Sequence, residues 1–271
     1  ADLVELSPDL LRRAAQAGLR TWASAPVKLY ALRFEDANPA AENTSLREAL
    51  SLSLDRATMA GVLLQKQAEP AAALLPQWLS GYAFLFTVET NPDRARELRA
   101  ALPAGIASGA APLRLRVEAS GDVAKLLGDR VVVNARQSSL ILQTTARSSP
   151  RAGAGGDAPG RETAPGVRLV SWHYASLSPR AEMDALAAAL GLSESAKSSS
   201  AGAGPGELYP RERKILDERR VLPLVLLPEF AGIGANVRDW MPARWGAWNL
   251  ADVWLDDAEA APPPKSPGVH P

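Results

Sequence analysis

Between Asn43 and Pro76 the apolar positions follow a helical period, break at Asp55-Arg56, resume, and end among prolines. Leu46, Ala49, Leu50, Ser53 and Leu54 fall on one face at i, i+3, i+4 spacing, so the segment predicts a helix laying an apolar stripe on a sheet. Ser45, with Glu48 three residues on, reads as a capping box, and Arg47 and Glu48 are expected to face outward. Asp55 is expected to cap a second helix whose buried stripe is Met59, Val62 and Leu63, stopped by Pro70 and Pro76.

The rest of the chain alternates strand and helix patterns. Residues 2–6 read as a strand, 8–17 as a helix capped by Ser7, and 28–34 as a strand. Asn91-Pro92 opens a helix over 91–102, since asparagine caps and proline suits the first helical turn. Leu113 to Glu118 alternates leucine and arginine, the mark of a strand with one buried face. Residues 131–134 and 139–145 are further strand candidates, and 123–133 holds at most a short helix. Helices are expected over 183–190 and 207–220, followed by a buried strand over 221–227. Segments 148–166 and 193–206 are rich in Gly, Ser, Ala and Pro and are expected to be mobile loops; residues 258–271 read as a disordered tail. This alternation predicts an α/β fold.

The run Leu46 to Arg56, LREALSLSLDR, resembles the Arg-x-Ala-Leu-x-x-Ala-Ile-Asp-Arg signature of the family 5 extracellular solute-binding proteins, the dipeptide, oligopeptide and nickel receptors of ABC importers. Weaker similarities follow in the same order: Ala1-Asp2-Leu3, the strand from Tyr30 to Phe34, the helix from Asn91 to Leu102, Val167 to Trp172 with Ser178-Pro179, and Leu208 to Leu227. The resemblance implies a type II periplasmic-binding-protein-like fold. It would consist of a second lobe at 36–227 packed on a remnant of the first at 1–35 and 228–257, with hinge crossings near Phe34 and Leu227. Family members are much longer, so the chain is expected to be a C-terminal part, beginning near the end of the first lobe. The resemblance further implies a small-molecule or peptide ligand, an ABC permease as partner, and a periplasmic or extracytoplasmic location, peripheral to the membrane at most.

Composition narrows the alternatives. The 271 residues are 46% hydrophobic, enough for a substantial core, and 30 basic residues balance 30 acidic ones. A net charge of zero lacks the basic footprint of a nucleic-acid binder, and no nucleic-acid partner is expected. The absence of cysteine removes disulfides and thiolate metal sites. No nucleophile elbow, phosphate-binding loop, dinucleotide fingerprint or zinc-protease helix occurs, so neither an enzyme nor a bound metal or cofactor is expected.

The chemistry-bearing candidates are Trp172, His173 and Tyr174, with Arg33 near the expected hinge. In the resembled family the strand ending at this tryptophan delivers its loop to the ligand cleft, where aromatic faces and polar groups gather. Ala175 stands where peptide-binding members place the aspartate that pairs with the ligand's amino group, and Leu169 where a basic residue can stand. A zwitterionic peptide would lose those partners. Trp240, Trp245, Trp248 and Trp254 are expected mainly to pack, with their N–H groups hydrogen-bonded. Two other readings follow from the same residues: a ligand-sensing domain of a transcriptional regulator, and a degenerate binding lobe acting as an interaction module.

Overall fold

The structure, a computed structural model, describes residues 2–36, 38–103, 113–145, 166–192, 205–246 and 248–256. The chain runs through β1 (Leu3–Leu6), a 3-10 turn (Pro8–Leu10), α1 (Leu11–Gln16) and the long β2 (Arg20–Phe34). It continues through α2 (Pro39–Glu42), α3 (Thr44–Ser53), α4 (Arg56–Thr58), a π-helical turn (Met59–Leu63), β3 (Glu69–Pro70), α5 (Gln77–Ser80) and α6 (Pro92–Ala100). There follow β4 (Leu113–Val117), α7 (Asp122–Gln137), β5 (Leu142–Thr145), β6 (Val167–His173), α8 (Pro179–Ala189) and α9 (Pro205–Asp217). The last strands are β7 (Val221–Ile233), β8 (Val237–Arg238) and β9 (Trp254–Leu255). By compactness the chain divides into Ala25–Pro228 and a unit made of Ala1–Ser24 with Glu229–Pro271, the divisions falling inside β2 and β7.

Within Ala25–Pro228 the strand order is β7-β2-β6-β4-β5, with β3 added on β7. β2 runs antiparallel to β6, with Leu29 opposite Trp172 and Arg33 opposite Arg168. β4 is parallel to both β5 and β6, as the intervening α7 crossover requires for the first pair. Both sheet faces are covered. Leu29 and Ala31 of β2 pack with Met183 and Leu186 of α8 and with Leu208 and Ile215 of α9. On the opposite face Leu169 and Val117 meet α7 at Gly128, where a Cβ would lie 2.8 Å from Val117 Cγ2. Burial on two faces explains why β2 and β7 read as near-continuous apolar runs rather than alternating ones.

The α3–α4 corner forms where expected, by a different cap. Asn43, not Ser45, accepts the Leu46 N–H at 2.9 Å, which starts the helix at Thr44. Arg47 turns inward instead of outward, donating to the carbonyls of Ala41 at 3.0 Å and Glu42 at 2.9 Å. Those carbonyls close α2 and need donors that the turn itself does not supply. Asp55 caps α4 as expected, accepting from Thr58 N at 2.9 Å. Beyond it the chain widens into a π turn, with Leu64 N donating to Met59 O at 3.0 Å. That extra residue shifts the buried stripe to Met59, Ala60 and Leu64 and leaves Val62 73% exposed.

The largest departure from expectation is α7. The 131–134 strand and the short helix before it are one 16-residue helix, with Ala124, Leu127, Gly128, Val131, Asn134 and Ala135 buried at helical spacing. The run Val131-Val132-Val133 favours strands intrinsically, but packing of one face overrides that preference. Strand β5 therefore begins at Leu142. Helix α6 forms as read, with Asn91 accepting from Arg94 N at 3.0 Å; α8 begins four residues before the expected 183, because Ser178 Oγ accepts from Ala181 N at 3.3 Å and Pro179 suits the first turn.

In the other unit β1 pairs antiparallel with the end of β7, Leu3 opposite Ile233. The expected first helix is split into a 3-10 turn and α1, and Ser7 donates to Asp9 Oδ1 at 2.6 Å instead of capping a backbone N–H. Trp240 packs edge-on against Trp22 at 5.5 Å and Trp248 at 5.3 Å. Trp254 donates its indole N–H to Asp239 at 2.8 Å, while the buried Trp240 Nε1 has no acceptor among the described residues. The glycine-rich and serine-rich loops over 148–166 and 193–206, apart from residues 166, 205 and 206, and the tail from residue 258, lie outside the described residues.

Candidate functional site

Strand β6 carries the three aromatic and imidazole candidates to its end, and pleating sends them to different surroundings. Trp172 lies beside Leu29 and packs its ring on the Met183 and Leu186 cluster. His173, opposite Lys28, is exposed. Tyr174 donates its N–H to Val27 O at 2.8 Å, so β2 holds the chain one residue past the strand. Its ring is 2% exposed, and its hydroxyl donates to the carbonyl of Leu74.

Glu182, in the first turn of α8, organises the loop that follows. Its carboxylate accepts from Trp172 Nε1 at 3.0 Å, Ala175 N at 2.8 Å and Ser176 N at 2.5 Å. Three charge-assisted bonds to a buried carboxylate fix both the indole and the loop backbone. Ala175 supplies no side-chain charge of its own; the nearest fixed carboxylate reaches it from the helix, through its backbone.

A second buried carboxylate underlies the same region. Glu212 of α9 is fully buried and accepts from Leu74 N, from Leu75 N at 3.0 Å and from Tyr82 Oη at 2.9 Å. Burial pushes its pKa up to about 7, against the opposing pull of the donors from Leu75, Tyr82 and Leu74. Desolvation also raises the phenols of Tyr82 and Tyr174, with the Glu212 charge adding to it. Tyr174, Leu74 and Glu212 thus form a continuous hydrogen-bonded chain from the β6 loop to α9.

Arg33 sits elsewhere. It lies opposite Arg168, four strand positions from the Leu29–Trp172 pair, roughly 13 Å along the sheet. Its Nη1 contacts Glu35 Oε1 at 2.6 Å; Arg168 contacts the same carboxylate and also Glu118 at 3.1 Å. Such half-buried ion pairs contribute up to about 1 kcal/mol each, and more as a network than singly. Gly191, with φ of +66°, passes so close that a Cβ there would lie 2.6 Å from Arg33 Nη2. The structure therefore brings Trp172 and Tyr174 into one packed region, leaves His173 on its surface, and places Arg33 in a separate charge cluster.

Sequence reading missed Glu182 and Glu212. Both carry a legible signal, a carboxylate on the apolar face of a helix: Glu182 with Met183, Leu186 and Ala187, and Glu212 with Leu208 and Ile215. A charge there is nearly always partnered. Among the described residues no cluster of three His, Asp or Glu side chains could hold a metal ion, and no helix is long and apolar enough to cross a membrane.

Residues 1–116 match the sequence profile of the bacterial extracellular solute-binding proteins, family 5 Middle. No curated protein sequence matches the chain significantly. Among solved structures, 94% of the chain superposes on a dipeptide binding protein from a Pseudoalteromonas species in complex with Met-Leu, with TM-score 0.70, 13% identity and 54% of that chain covered. NikA from Brucella suis in complex with Fe(III)-EDTA is similar over 94% of this chain and 57% of its own, with TM-score 0.68 and 16% identity. The substrate-binding domain of an oligopeptide ABC transporter from Bacillus anthracis gives TM-score 0.69 and 13% identity over 94% of this chain and 55% of its own. The chain thus spans little more than half the length of these structures, and its fold is the type II periplasmic-binding-protein-like one.

Proposed function

We propose that this chain, which carries the profile of the family 5 extracellular solute-binding proteins over residues 1–116 and their fold over most of its length, is the ligand-binding part of a solute receptor for an ABC-type importer. It binds a peptide-like or other small ligand outside the cytoplasm, hands it to a membrane permease, and catalyses nothing. The observation that carries this reading is the superposition of 94% of the chain on a protein in complex with Met-Leu, on one in complex with Fe(III)-EDTA and on the substrate-binding domain of an oligopeptide ABC transporter.

In this reading residues 36–227 form the second lobe, and 1–35 with 228–257 a part of the first. The compact divisions at Ser24–Ala25 and Pro228–Glu229 support a chain that crosses between lobes twice. Trp172 and His173 face the ligand and Tyr174 anchors their loop from within the core; Arg33, paired with Glu35 in its own cluster, would reach only a ligand long enough to extend there. Glu182 supports this assignment by fixing the Trp172 indole and two loop N–H groups. With Ala175 lacking a carboxylate, a ligand with a free amino group needs a different anionic partner, and the exposed His173 favours ligands that accept hydrogen bonds or coordinate a metal.

The test is a thermal-shift screen with dipeptides, single amino acids and histidine-chelated nickel. Ligand at about 100 times its dissociation constant stabilises by about 2.7 kcal/mol. A saturable rise for one class supports the proposal; silence from every class at millimolar concentration contradicts it.

A further inference from the structure

A cavity of about 490 Å³ lies wholly within Ala25–Pro228, away from the β6 loop, between α3, the 86–89 segment and the start of β7. Its size is that of a small-molecule pocket. One part of its wall is Arg56, 2% exposed, whose Nε donates to Pro223 O at 2.6 Å and whose Nη1 donates to Ser51 O at 3.2 Å and Leu54 O at 3.4 Å. Every partner is a carbonyl, and Nη2 has none among the described residues. The guanidinium is thus a buried cation with no counter-charge in contact, and burial lowers its pKa to about 10.

Most of the other charges around the cavity are already paired. Arg219 faces Glu48 at 3.9 Å, Arg94 holds Glu97 at 2.8 Å and Asp217 meets Arg213 at 3.7 Å. Glu89 accepts from Asn91 Nδ2 at 2.8 Å on the exposed side. Leu52, Phe86, Val88, Leu222 and Pro223 supply apolar wall.

We infer that this cavity is a second binding site, for a small organic monocarboxylate with an apolar body. The carboxylate supplies the anion that Arg56 lacks, and because that guanidinium is buried in the wall the attraction is weakly screened. The apolar body covers the leucine, phenylalanine and valine wall. Glu89, bonded to the neutral Asn91 amide, adds a negative charge at the cavity that disfavours a dianion more than a monoanion, which selects against phosphate. The inference goes beyond the receptor reading, because the site lies wholly inside one unit and needs no closure between lobes.

The experiment is a ¹H–¹⁵N NMR titration of the chain with phenylacetate, with phenethylamine as the charge-reversed probe and inorganic phosphate as the dianion. The expected result is saturable shifts confined to residues 51–56, 86–89 and 216–223, with both other probes at least about tenfold weaker, the worth of one charge-assisted contact. Arg56→Gln is expected to weaken phenylacetate by a similar factor. Should that variant fail to fold, Val88→Trp fills the mouth from a residue 38% exposed and is expected to abolish the shifts while leaving the melting temperature unchanged. An absence of saturable shifts, an equal or stronger response to phenethylamine or phosphate, or unchanged affinity in folded Val88→Trp overturns the inference.

Discussion

The hydroxyl of Tyr82 donates to the carboxylate of Glu212 at 2.9 Å, both groups buried, with the Leu74 and Leu75 N–H groups completing the cage. Among the described residues the carboxylate has donors but no cation in contact, so dipoles rather than a counter-charge stabilise it.

That arrangement makes stability depend on pH. Glu212 has a folded pKa of about 7 against an ordinary 4.5, so the folded state binds the proton more tightly than the unfolded state. The stability that Glu212 contributes is therefore full below pH about 4.5, falls as pH rises toward 7, and levels off above, with an upper limit on the order of 3 kcal/mol. Urea unfolding at pH 5 and pH 8 measures the drop. Glu212→Gln, which cannot ionise, is expected to flatten it.

Glu182→Ala leaves the Trp172 indole N–H and the Ala175 and Ser176 N–H groups without their acceptor. The expected loss is about 2–4 kcal/mol by thermal or chemical unfolding, since buried donors go unsatisfied. Tryptophan emission should shift to the red as the indole becomes wet. A loss below about 0.5 kcal/mol would show that the loop is not held by this carboxylate.

Gly191→Ala meets two obstacles, a positive φ and a Cβ 2.6 Å from Arg33 Nη2. Gly18→Ala meets only the first, at φ of +81° with open space around it. Gly18→Ala should cost about 1 kcal/mol and Gly191→Ala more, by the part of the Arg33–Glu35 pairing it displaces. Equal costs would mean that Arg33 yields freely.

The elements visible in the sequence are those whose local chemistry and tertiary role agree. Asn91-Pro92 announces a helix, and the packed interior keeps it. Asp55 and the Leu46 to Leu54 stripe are equally plain, because α3 shows one apolar face to the core. The errors arise where a long-range partner decides. Arg47 is buried because the α2 carbonyls need donors; Val62 is exposed because one π turn rotates the stripe. Residues 131–133 are helical because α7 packs on Leu169 and Val117. Sequence singled out Trp172 and Tyr174, which the structure packs into one region, but not Glu182 and Glu212; each shows locally only as a carboxylate on the apolar face of a helix, while the indole, phenol and backbone N–H groups that bind them, up to 138 residues away, leave no mark of their own.

The most direct test of the receptor reading is calorimetric titration of the folded chain with a dipeptide set and with histidine-chelated nickel. A receptor gives a saturable one-to-one isotherm for one of these classes, with a negative heat-capacity change from the apolar surface that the ligand covers. Flat isotherms for every ligand, from protein that still unfolds cooperatively, would contradict it.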